Sequence, residues 1–506
     1  MKRILAIVLL LLSGTVSFAQ DSLTTPKRST KSYIVVDKTE KDIAYLKAKS
    51  RQAGLDLGLS VLANRVKTNS RHVGPMPSKH LLKQGVLQLQ LPMNETQDEF
   101  AVYHSELFSI PSTINVLQIG DEIITYRTME TTGDIHLLYH CTRGAYGTRK
   151  SAHAKDAPVY KLWDTPERTL LPDFVLQNQM AQAEAKRLAK TDFTLLVFND
   201  MKSYTYNDQG DLSIAHFLDT MHKYNPDKLL QTDLYTPSAG NYLSRVNENQ
   251  VWKESMRTKI VETLTEKQEY YRKNQMPWMI GTFQILLSNK NKVATTMEEL
   301  EWLLSKAAAF EAGFGLDVSA ETLRQHGLTD KILSTINLWE TLRLAGGFSE
   351  EQKEQFKDPY GNWHIEKDSD TTCLLYPQYI SRRYYCHLND NHWEWTSPYP
   401  GPFALQIVVE GTGGISNPSF RTPNGTLYLP CSVKAGQCLM YGFDGKAYVT
   451  DMNYYTLEEV TPMGVSVLDE GVSEVSFQCE VNTEGMKPEV RLRFLTRGQA
   501  ETLILR

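Results

Sequence analysis

The sequence predicts an α/β protein whose main domain is a (β/α)8-like TIM barrel, complete or incomplete, followed by an antiparallel β-sandwich. The main observation is the segment 193–200, F-T-L-L-V-F-N-D, in which a continuous apolar run ends abruptly at Asn199 and Asp200. A run without alternation is typical of a strand buried on both faces. Similar runs lead to Asp233 and Asp317, with helical segments between them. Strands that end in polar residues are how such a barrel builds a site at its carboxyl face.

Changes in residue composition and apolar pattern divide the chain into two large parts. We predict the barrel over 31–360, interrupted by a small antiparallel β subdomain at 85–160, where residues 86–91 alternate between polar and apolar. After about residue 363, aromatic and β-branched residues dominate short runs that are separated by turn signals. This pattern favours a β-sandwich over 364–506. A length of 506 residues suits two to four domains at ~100–200 residues each.

The barrel elements follow in chain order, each supported by its apolar pattern. The pattern indicates strands at 33–36, 55–62, 194–198, 228–232, 276–287 and 310–317, and helices at 40–53, 175–189, 212–224, 252–273, from 296, 320–326, 329–344 and 349–356. Gly54 suits the position after a helix end. Thr296 and Glu299 form a capping box that opens the next helix, whose core face would carry Leu300 and Leu303. We expect Leu212 on the core face of its helix.

The start of the chain has the composition of an export signal. Lys2 and Arg3 precede an apolar run, and small residues before position 20 provide a cleavage site. We therefore expect a signal peptide at 1–19, a flexible leader at 20–30, and a periplasmic or secreted protein. No cysteine follows the cleavage site, so we expect no lipid anchor. No later stretch approaches ~20 apolar residues, so we expect no membrane insertion.

Composition and missing motifs exclude several other classes. The formal net charge of -5 and the absence of a long Lys/Arg run argue against a nucleic acid partner. None of the six cysteines forms a C-x-x-C motif, so we predict no structural zinc site. We also expect no other metal and no cofactor. Disulfides and buried free thiols are equally good interpretations of these cysteines. No G-x-S-x-G or H-E-x-x-H motif is present, and the glycines at 411–414 fall in the predicted sandwich, so they form no dinucleotide site.

The loop 141–148, with His153 just beyond it, contains the glycines of a kinked turn. Arg149 occupies the position where a phosphate-binding loop needs its second glycine, so that motif fails. Two interpretations stay open. The loop is either a structural β turn, or it presents Arg143 and His153 to a ligand.

Four motifs support a resemblance to a known family. They are residues 58–64 (G-L-S-V-L-A-N), the 141–148 loop with His153, residues 276–281 (M-P-W-M-I-G) and residues 298–316. These resemble motifs of TIM-barrel glycoside hydrolases secreted by polysaccharide-degrading Bacteroidetes and related bacteria, over most of 33–360. Residues 436–441 resemble that family's C-terminal β-sandwich. The resemblance implies a protein that acts on a complex polysaccharide or host glycan, and it leaves the oligomeric state open.

The chain departs from the resembled family at the central strand. Relatives carry an F-D-G-x-E signature, which aligns here with residues 198–202, F-N-D-M-K. Asn199 stands in place of the first acid, Lys202 in place of the second, and Asp200 in place of the glycine. Either Asp200 has taken over the acid's role from a shifted position, or the site has lost its acid.

Three carboxylates are candidates for catalysis. Glycoside cleavage commonly uses two carboxyl groups, ~5–5.5 Å apart for retention and ~6.5–9.5 Å for inversion. Asp200, Asp233 and Asp317 each end a predicted barrel strand, although for each the capping of a following helix is an equally good interpretation. Burial would raise the pKa of Asp200, and Lys202 would lower it. Two functions follow: a glycoside hydrolase, or a catalytically inactive glycan-binding protein on the same barrel.

A second group of residues is predicted to contact substrate. Polar or aromatic side chains near the strand ends can bond to sugar hydroxyls or stack on sugar rings, and Tyr206 shares this pattern. For Trp278, core packing is favoured over sugar contact. The predicted substrate-binding residues are Asn64, Asn199, Lys202, Tyr204, Tyr235, Trp278 and Arg143.

Overall fold

The computed structural model describes residues 27–248, 257–289, 292–385, 391–482 and 488–505. The predicted signal peptide and the first part of the leader lie outside these residues, as does the start of the helix predicted at 252–273. The first β/α unit consists of strand β1 (Tyr33–Val36), helix α1 (Ile43–Gln52) and strand β2 (Asp56–Val61). Gly54 has a φ of 66° after the end of α1, a left-handed conformation that glycine adopts without steric cost.

An all-β segment follows β2, and its strands span 66–170, a wider range than the predicted 85–160. Its strands form a four-stranded sheet in the order β4-β10-β6-β7, a three-stranded sheet in the order β5-β9-β8, and the pair β11-β3. Two compact apolar clusters within the segment give it its own core. The strands are β3 (Val66–Lys67), β4 (Lys83–Gln88), β5 (Phe100–Tyr103), β6 (Val116–Ile119), β7 (Glu122–Thr125), β8 (Thr128–Thr132), β9 (Ile135–Tyr139), β10 (Pro158–Leu162) and β11 (Thr169–Leu170).

The β/α alternation then resumes. Helix α5 begins with the predicted capping box between Thr296 and Glu299. Leu212 is exposed, and its helix instead buries Ile214, Phe217 and Leu218. The elements are α2 (Phe174–Leu188), β12 (Leu195–Phe198), α3 (Asp211–Tyr224), β13 (Leu229–Thr232), β14 (Arg245–Val246), α4 (Arg257–Lys273), β15 (Thr282–Gln284), α5 (Met297–Ala309), β16 (Gly315–Asp317), α6 (Ala320–Gln325), α7 (Thr329–Leu344) and α8 (Glu350–Phe356).

Seven of these strands form one parallel sheet in the order β14-β13-β12-β2-β1-β16-β15. The sheet is a partial barrel whose ladder does not close. A single parallel bridge between Val246 and Trp278 links β14 to the segment before β15. The strand predicted at 276–287 is therefore wrong in extent, because Gly281 has a φ of 121° and only Thr282–Gln284 joins the ladder.

The two faces of the sheet belong to different apolar clusters. The outer face packs against the helices in the main apolar cluster, which includes Leu196, Phe198 and Leu230. The inner face carries a smaller cluster with Tyr33 and Leu195. Side chains alternate between faces along a strand, and the register places positions 60, 199, 233 and 317 on the inner face at the carboxyl ends.

The C-terminal part is strand-rich and antiparallel, as predicted. An eight-stranded sheet and a six-stranded sheet enclose an apolar core. The strands are β17 (Asn362–Lys367), β18 (Thr372–Tyr385), β19 (Asn391–Ser397), β20 (Gly401–Pro402), β21 (Ala404–Glu410), β22 (Gly414–Thr422), β23 (Gly425–Tyr428), β24 (Ser432–Lys434), β25 (Gln437–Tyr441), β26 (Ala447–Asp451), β27 (Thr456–Val460), β28 (Met463–Gly464), β29 (Val467–Leu468), β30 (Gly471–Asn482), β31 (Glu489–Arg497) and β32 (Glu501–Ile504).

The cysteines in the described ranges are free thiols, which decides between the two open interpretations for these positions. They are Cys141, Cys373, Cys431, Cys438 and Cys479, whereas Cys386 lies outside those ranges. Within the same ranges, no helix is long and apolar enough to cross a membrane.

A buried ion cluster holds the loop at 141–154. The guanidinium of Arg143 donates to both carboxylate oxygens of Glu122 at 2.8 and 2.9 Å, and to three backbone carbonyls. His153 Nε2 lies 2.8 Å from the same carboxylate. The side chain of Glu122 is fully buried, and that of Arg143 is 2 % exposed. The structure thus corrects the expectation that Arg143 binds substrate, because its donors serve this cluster.

Loss of the Glu122 charge should destabilise the β segment locally. In Glu122→Gln, the buried guanidinium of Arg143 loses its counter-charge, a change that typically costs about 3–5 kcal/mol. Hydrogen exchange of the amides in β6, β7 and β10 measures this local opening free energy. Glu130→Gln is the matched control, since Glu130 is exposed in the same segment, and we expect it to stay within about 0.5 kcal/mol of wild type. Equal exchange in both variants would contradict a stabilising role.

The same carboxylate predicts an acid-sensitive segment. Burial opposes ionisation, but hydrogen bonds from His153, Arg143 and two backbone N–H groups lower the pKa of Glu122 to about 2. Since the folded pKa lies below the ordinary value of 4.5, the stabilisation is complete above that value and is lost as the pH falls towards 2. Between about pH 5 and pH 3, wild type should therefore lose more stability than Glu122→Gln in urea titrations. Parallel pH curves for the two proteins would contradict this assignment.

Candidate active site

The candidate site is built around the loop that follows β12. Asp200 has a left-handed backbone, with φ 62° and ψ 39°, which aspartate tolerates better than most residues. This turn redirects the chain into a short 3-10 helix at Met201–Tyr206. The turn lifts the Asp200 carboxylate away from the line of the strand and towards the β segment.

Asp200 is paired with a cation from the neighbouring strand end. Arg65 lies four residues after the end of β2, and its Nη2 is 2.5 Å from Asp200 Oδ2 and 3.2 Å from Glu167 Oε2. The side chain of Arg65 is 11 % exposed, whereas that of Asp200 is 35 % exposed. Burial raises the pKa of Asp200, the charge of Arg65 opposes that shift, and the net change is upward. The cation that competes with burial is therefore Arg65, and Lys202 is exposed.

Asp233 anchors the turn from the next strand. Its carboxylate accepts hydrogen bonds from the backbone N–H groups of Asp200 at 2.6 Å and Met201 at 3.0 Å. Burial raises its pKa, the two backbone donors oppose the shift, and the charge of Asp200 adds to it. The bond from Asp200 N also limits the distance between the two acids. Given the bond lengths within an aspartate, their nearest carboxylate oxygens lie within roughly 7 Å of each other.

Asp317 stands apart from this pair. It ends β16, as the sequence predicts, but it is exposed and accepts a hydrogen bond from Gln284 Nε2 at 2.9 Å. Strands β1 and β2 separate β16 from β12 in the sheet. The structure therefore brings Asp200 and Asp233 together at one part of the sheet edge and leaves Asp317 on another.

The predicted polar contacts near the pair serve mainly to hold the loops. Asn199 Nδ2 donates to Ser60 Oγ at 3.0 Å, which ties the end of β12 to β2. Asn64 is buried, and its Nδ2 donates to Ser203 Oγ at 3.0 Å. These two amides fix the loops that carry Arg65 and Asp200. Lys202, by contrast, extends into solvent on the 3-10 helix.

The structure corrects two of the predicted aromatic contacts. Tyr204 is 1 % exposed and packs against Phe217, with ring centroids 4.7 Å apart. Trp278 is 5 % exposed and stacks on Tyr271. Both belong to the main apolar cluster, so neither is placed to meet a sugar. Tyr235 is half-buried beside the same core.

Tyr206 and Trp163 form an aromatic pair close to the acids. Tyr206 ends the 3-10 helix that begins after Asp200, and it is 41 % exposed. Its ring stacks on that of Trp163 with centroids 4.7 Å apart and an interplanar angle of 14°. Trp163 follows β10 and lies four residues before Glu167. The β segment thus contributes both an aromatic ring and a carboxylate to this edge of the sheet.

Sequence reasoning missed Arg65, Glu167 and Trp163. Arg65 directly follows Asn64, in the polar residues after the second predicted strand. Its position at a strand end was therefore a signal for a site residue. Glu167 and Trp163 carry no such signal, because they come from the β segment and reach the acids only through the tertiary fold.

Comparisons with known proteins give only weak likenesses. No family model matches the chain, and no curated protein matches its sequence. Among solved structures, a β-L-arabinopyranosidase of glycoside hydrolase family 27 from Geobacillus stearothermophilus is 7% identical, with 62% of this chain and 64% of that chain covered and a TM-score of 0.26. The chain therefore spans less than two thirds of that enzyme.

Two further solved structures cover more of the chain. An isomalto-dextranase from Arthrobacter globiformis T6 is 7% identical, with 94% and 88% coverage and a TM-score of 0.31. A debranching enzyme from Nostoc punctiforme is 10% identical, with 84% and 76% coverage and a TM-score of 0.26. All three neighbours are glycoside hydrolases, but similarity at this level assigns neither a family nor an activity to this chain. The fold and the site define the class: a partial parallel β/α barrel with a carboxylate pair at its carboxyl edge.

The role of Arg65 is open to direct measurement. Arg65→Gln removes the cation that opposes burial, so the pKa of Asp200 should rise further. A titration of the aspartate side-chain 13C signals measures the shift. Lys202→Gln is the control, and it should leave the Asp200 titration unchanged. A larger shift in the control than in Arg65→Gln would overturn this pairing.

Proposed function

We propose that this protein is a glycoside hydrolase that acts on a complex polysaccharide or host glycan through Asp200 and Asp233. The observation that carries the proposal is the carboxylate pair itself. Two half-buried acids within roughly 7 Å of each other at the carboxyl edge of a parallel sheet fit two-carboxylate glycoside cleavage. The upward direction of both pKa values suits a site in which one acid keeps its proton at working pH.

The surroundings of the two acids support different roles for them. Asp233 accepts two backbone N–H bonds, and an ionised carboxylate is the form that accepts without donating. It would therefore act as the nucleophile, or as the base that removes a proton from water. Asp200, more exposed at the surface of the turn, would protonate the glycosidic oxygen as its bond to the anomeric carbon breaks. The separation limit is compatible with either stereochemical outcome.

A second candidate function is glycan binding without catalysis. The ion pair between Arg65 and Asp200 favours this binding function, because a guanidinium 2.5 Å from Asp200 favours the ionised form of that acid. An acid that stays ionised cannot donate a proton to the leaving oxygen. The Tyr206–Trp163 pair and the surrounding polar groups could still bind a sugar in that case.

We also propose that the protein is exported. The charged, then apolar, then small-residue pattern at 1–19 supports this, and a polysaccharide substrate outside the cell is consistent with it. N-terminal sequencing of the protein purified from the native cell envelope fraction would test the predicted cleavage after Ala19.

Removal of either acid should reduce catalysis. A screen of the wild type against a glycan array and a polysaccharide panel first identifies what is bound and what is cleaved. On a cleaved polysaccharide, Asp200→Asn and Asp233→Asn should each reduce turnover by ~10²-fold or more, the usual scale for lost acid–base assistance. In Asp200→Asn, affinity should remain nearly unchanged, because the amide keeps the shape of the acid. Asp233→Asn also loses one of the two backbone hydrogen bonds that hold the turn, so its lower turnover includes the displacement of Asp200, and Asp200→Asn is the variant that separates catalysis from binding.

A control and two opposing outcomes make this experiment decisive. Asp208→Asn changes an exposed acid just after the same 3-10 helix and should retain wild-type turnover. If Asp200→Asn cleaves at the wild-type rate, the assignment of Asp200 is wrong. A wild type that binds glycans but cleaves none of them would favour the binding function.

A further inference from the structure

A short hairpin of the β segment brings a third acid to the candidate site. Glu167 lies in its turn, which is closed by a hydrogen bond from Thr165 N to Thr169 O at 3.0 Å. Strand β11 forms the second arm of this hairpin and pairs with β3, which begins directly after Arg65. The fold therefore places Glu167 next to Arg65, although the two residues are distant in the sequence.

Glu167 and Asp200 share one cation. Arg65 Nη2 lies 3.2 Å from Glu167 Oε2 and 2.5 Å from Asp200 Oδ2. Because both ion pairs use the same nitrogen, the two carboxylate oxygens lie within roughly 6 Å of each other, a distance at which one negative charge opposes the ionisation of the other acid. The side chain of Arg65 is 11 % exposed, whereas that of Glu167 is 52 % exposed. The cation is therefore largely removed from water and needs a counter-charge beside it.

The charge balance of this trio determines which acid can hold a proton. If Asp200 were the one partner of Arg65, protonation of Asp200 would leave a nearly buried guanidinium without a counter-charge, which is strongly unfavourable. Glu167 removes this obstacle, because it stays ionised beside Arg65 when Asp200 takes up a proton. With both acids ionised, the trio instead carries a net negative charge, which favours the return of one proton.

Glu167 is suited to remain the ionised member of the trio. Burial opposes its ionisation, but its own backbone N–H, the hydroxyl of Thr165 and the charge of Arg65 lower its pKa. Asp200 is less exposed than Glu167. Burial raises the pKa of Asp200, and the charge of Arg65 opposes that rise, whereas the charge of Glu167 adds to it. The two acids that share the cation therefore favour different protonation states.

The other ionisable groups around Asp200 supply no second counter-charge. Asp233 bonds to the backbone of Asp200 and adds negative charge from the side of β13. Burial and the charge of Asp200 raise the pKa of Tyr204, so the hydroxyl below the turn is neutral. Lys202 is exposed. Among the described residues, the cation that forms an ion pair with Asp200 is Arg65, so the charge state of Asp200 depends on how Arg65 is shared.

We propose that Glu167 is a positioning residue of this site, which shares the guanidinium of Arg65 so that Asp200 can carry the proton that it delivers to the glycosidic oxygen. This inference rests on the glycoside hydrolase function proposed above. It also removes the conflict between that function and the ion pair of Asp200, since Arg65 keeps a counter-ion in both protonation states of Asp200.

The proton transfer is balanced within the trio. As the bond between the anomeric carbon and the glycosidic oxygen breaks, its electron pair stays on the oxygen, which takes the proton from Asp200. The anomeric carbon is attacked by Asp233 or by the water that Asp233 deprotonates. Asp200 is left as a carboxylate beside Arg65, whose charge stabilises it. Glu167 therefore supports the protonated form before the transfer, and Arg65 supports the ionised form after it.

The test is a titration of the Asp200 carboxyl group in the full chain, followed by the side-chain 13C signals of labelled aspartate and assigned by the signal that is lost in Asp200→Asn. Glu167→Gln should lower the pKa of Asp200, because Arg65 then pairs with Asp200 alone. The decrease should be larger with Arg65 present than in Arg65→Gln, since Glu167 acts through Arg65. Glu95→Gln changes an exposed glutamate elsewhere in the β segment and should leave the titration unchanged.

The variants are expected to fold, and a second variant covers the one that is most buried. Glu167→Gln should melt near the wild-type temperature, because an exposed ion pair contributes little to stability. If Arg65→Gln does not fold, Arg65→Lys takes its place, since an ammonium lacks the planar geometry of a guanidinium, and the effect of Glu167→Gln should again be smaller than in wild type. The proposal is overturned if Glu167→Gln leaves the pKa of Asp200 unchanged or raises it, or if the decrease is equal in both backgrounds.

The activity profile separates this inference from the proposed function. On a cleaved polysaccharide, the basic limb of the kcat/KM profile reports the essential acid of the free enzyme. In Glu167→Gln this limb should move to lower pH by the same interval as the Asp200 titration, with kcat/KM unchanged on the acid side of the limb. Coincident profiles for wild type and Glu167→Gln would overturn the catalytic role of Glu167. If no polysaccharide is cleaved, the proposed function fails, and the titration alone decides whether Glu167 acts on Asp200 through Arg65.

Discussion

The candidate site depends on one interaction, in which Asp233 accepts the backbone N–H groups of Asp200 and Met201. A left-handed turn directly after a strand exposes backbone donors that the ladder can no longer satisfy. The carboxylate from the neighbouring strand satisfies them, so it stabilises the turn and places Asp200 at the same time. Without this contact, Asp200 would not be held in position to pair with Arg65. The positions of both acids thus follow from one pair of hydrogen bonds.

The β segment between β2 and β12 takes part in the site because of where it is inserted in the chain. Its chain leaves the carboxyl end of β2 and returns to α2, so it must stand over the edge where the acids lie. Glu167 and Trp163 are its contributions, one through Arg65 and the other through Tyr206. The buried cluster of Glu122, Arg143 and His153 holds the 141–154 loop within that segment. The loop resembles a binding motif in sequence, but it acts as a structural support.

Local patterns in the sequence predicted the elements well and the contacts between them poorly. The apolar run before Asn199 fixed a strand buried on both faces, and the capping box at Thr296 fixed a helix start, since both signals are contained within a few residues. The partners of Asp200 were not predictable in this way, because Arg65 and Glu167 lie far from it in sequence. Tyr204 was misjudged for a related reason. A 3-10 helix turns successive side chains by about 120°, so Tyr204 enters the core while Tyr206 faces solvent.

The interior of the partial barrel explains how the acids stay aligned although the ladder does not close. Gln231 Nε2 and Asn247 Nδ2 both donate to the hydroxyl of Tyr33, at 2.5 and 2.9 Å. These bonds cross the interior from β1 to β13 and to the residue after β14, where a closed barrel would rely on apolar layers and on continuous ladders. A buried hydrogen bond is directional, so it fixes the register of β13 relative to β1. Gln231 lies on the inner face of β13, and Asp233, two residues later and just after the strand ends, continues the same face. The bond that holds Gln231 therefore also sets the position of Asp233 at the carboxyl edge of the sheet.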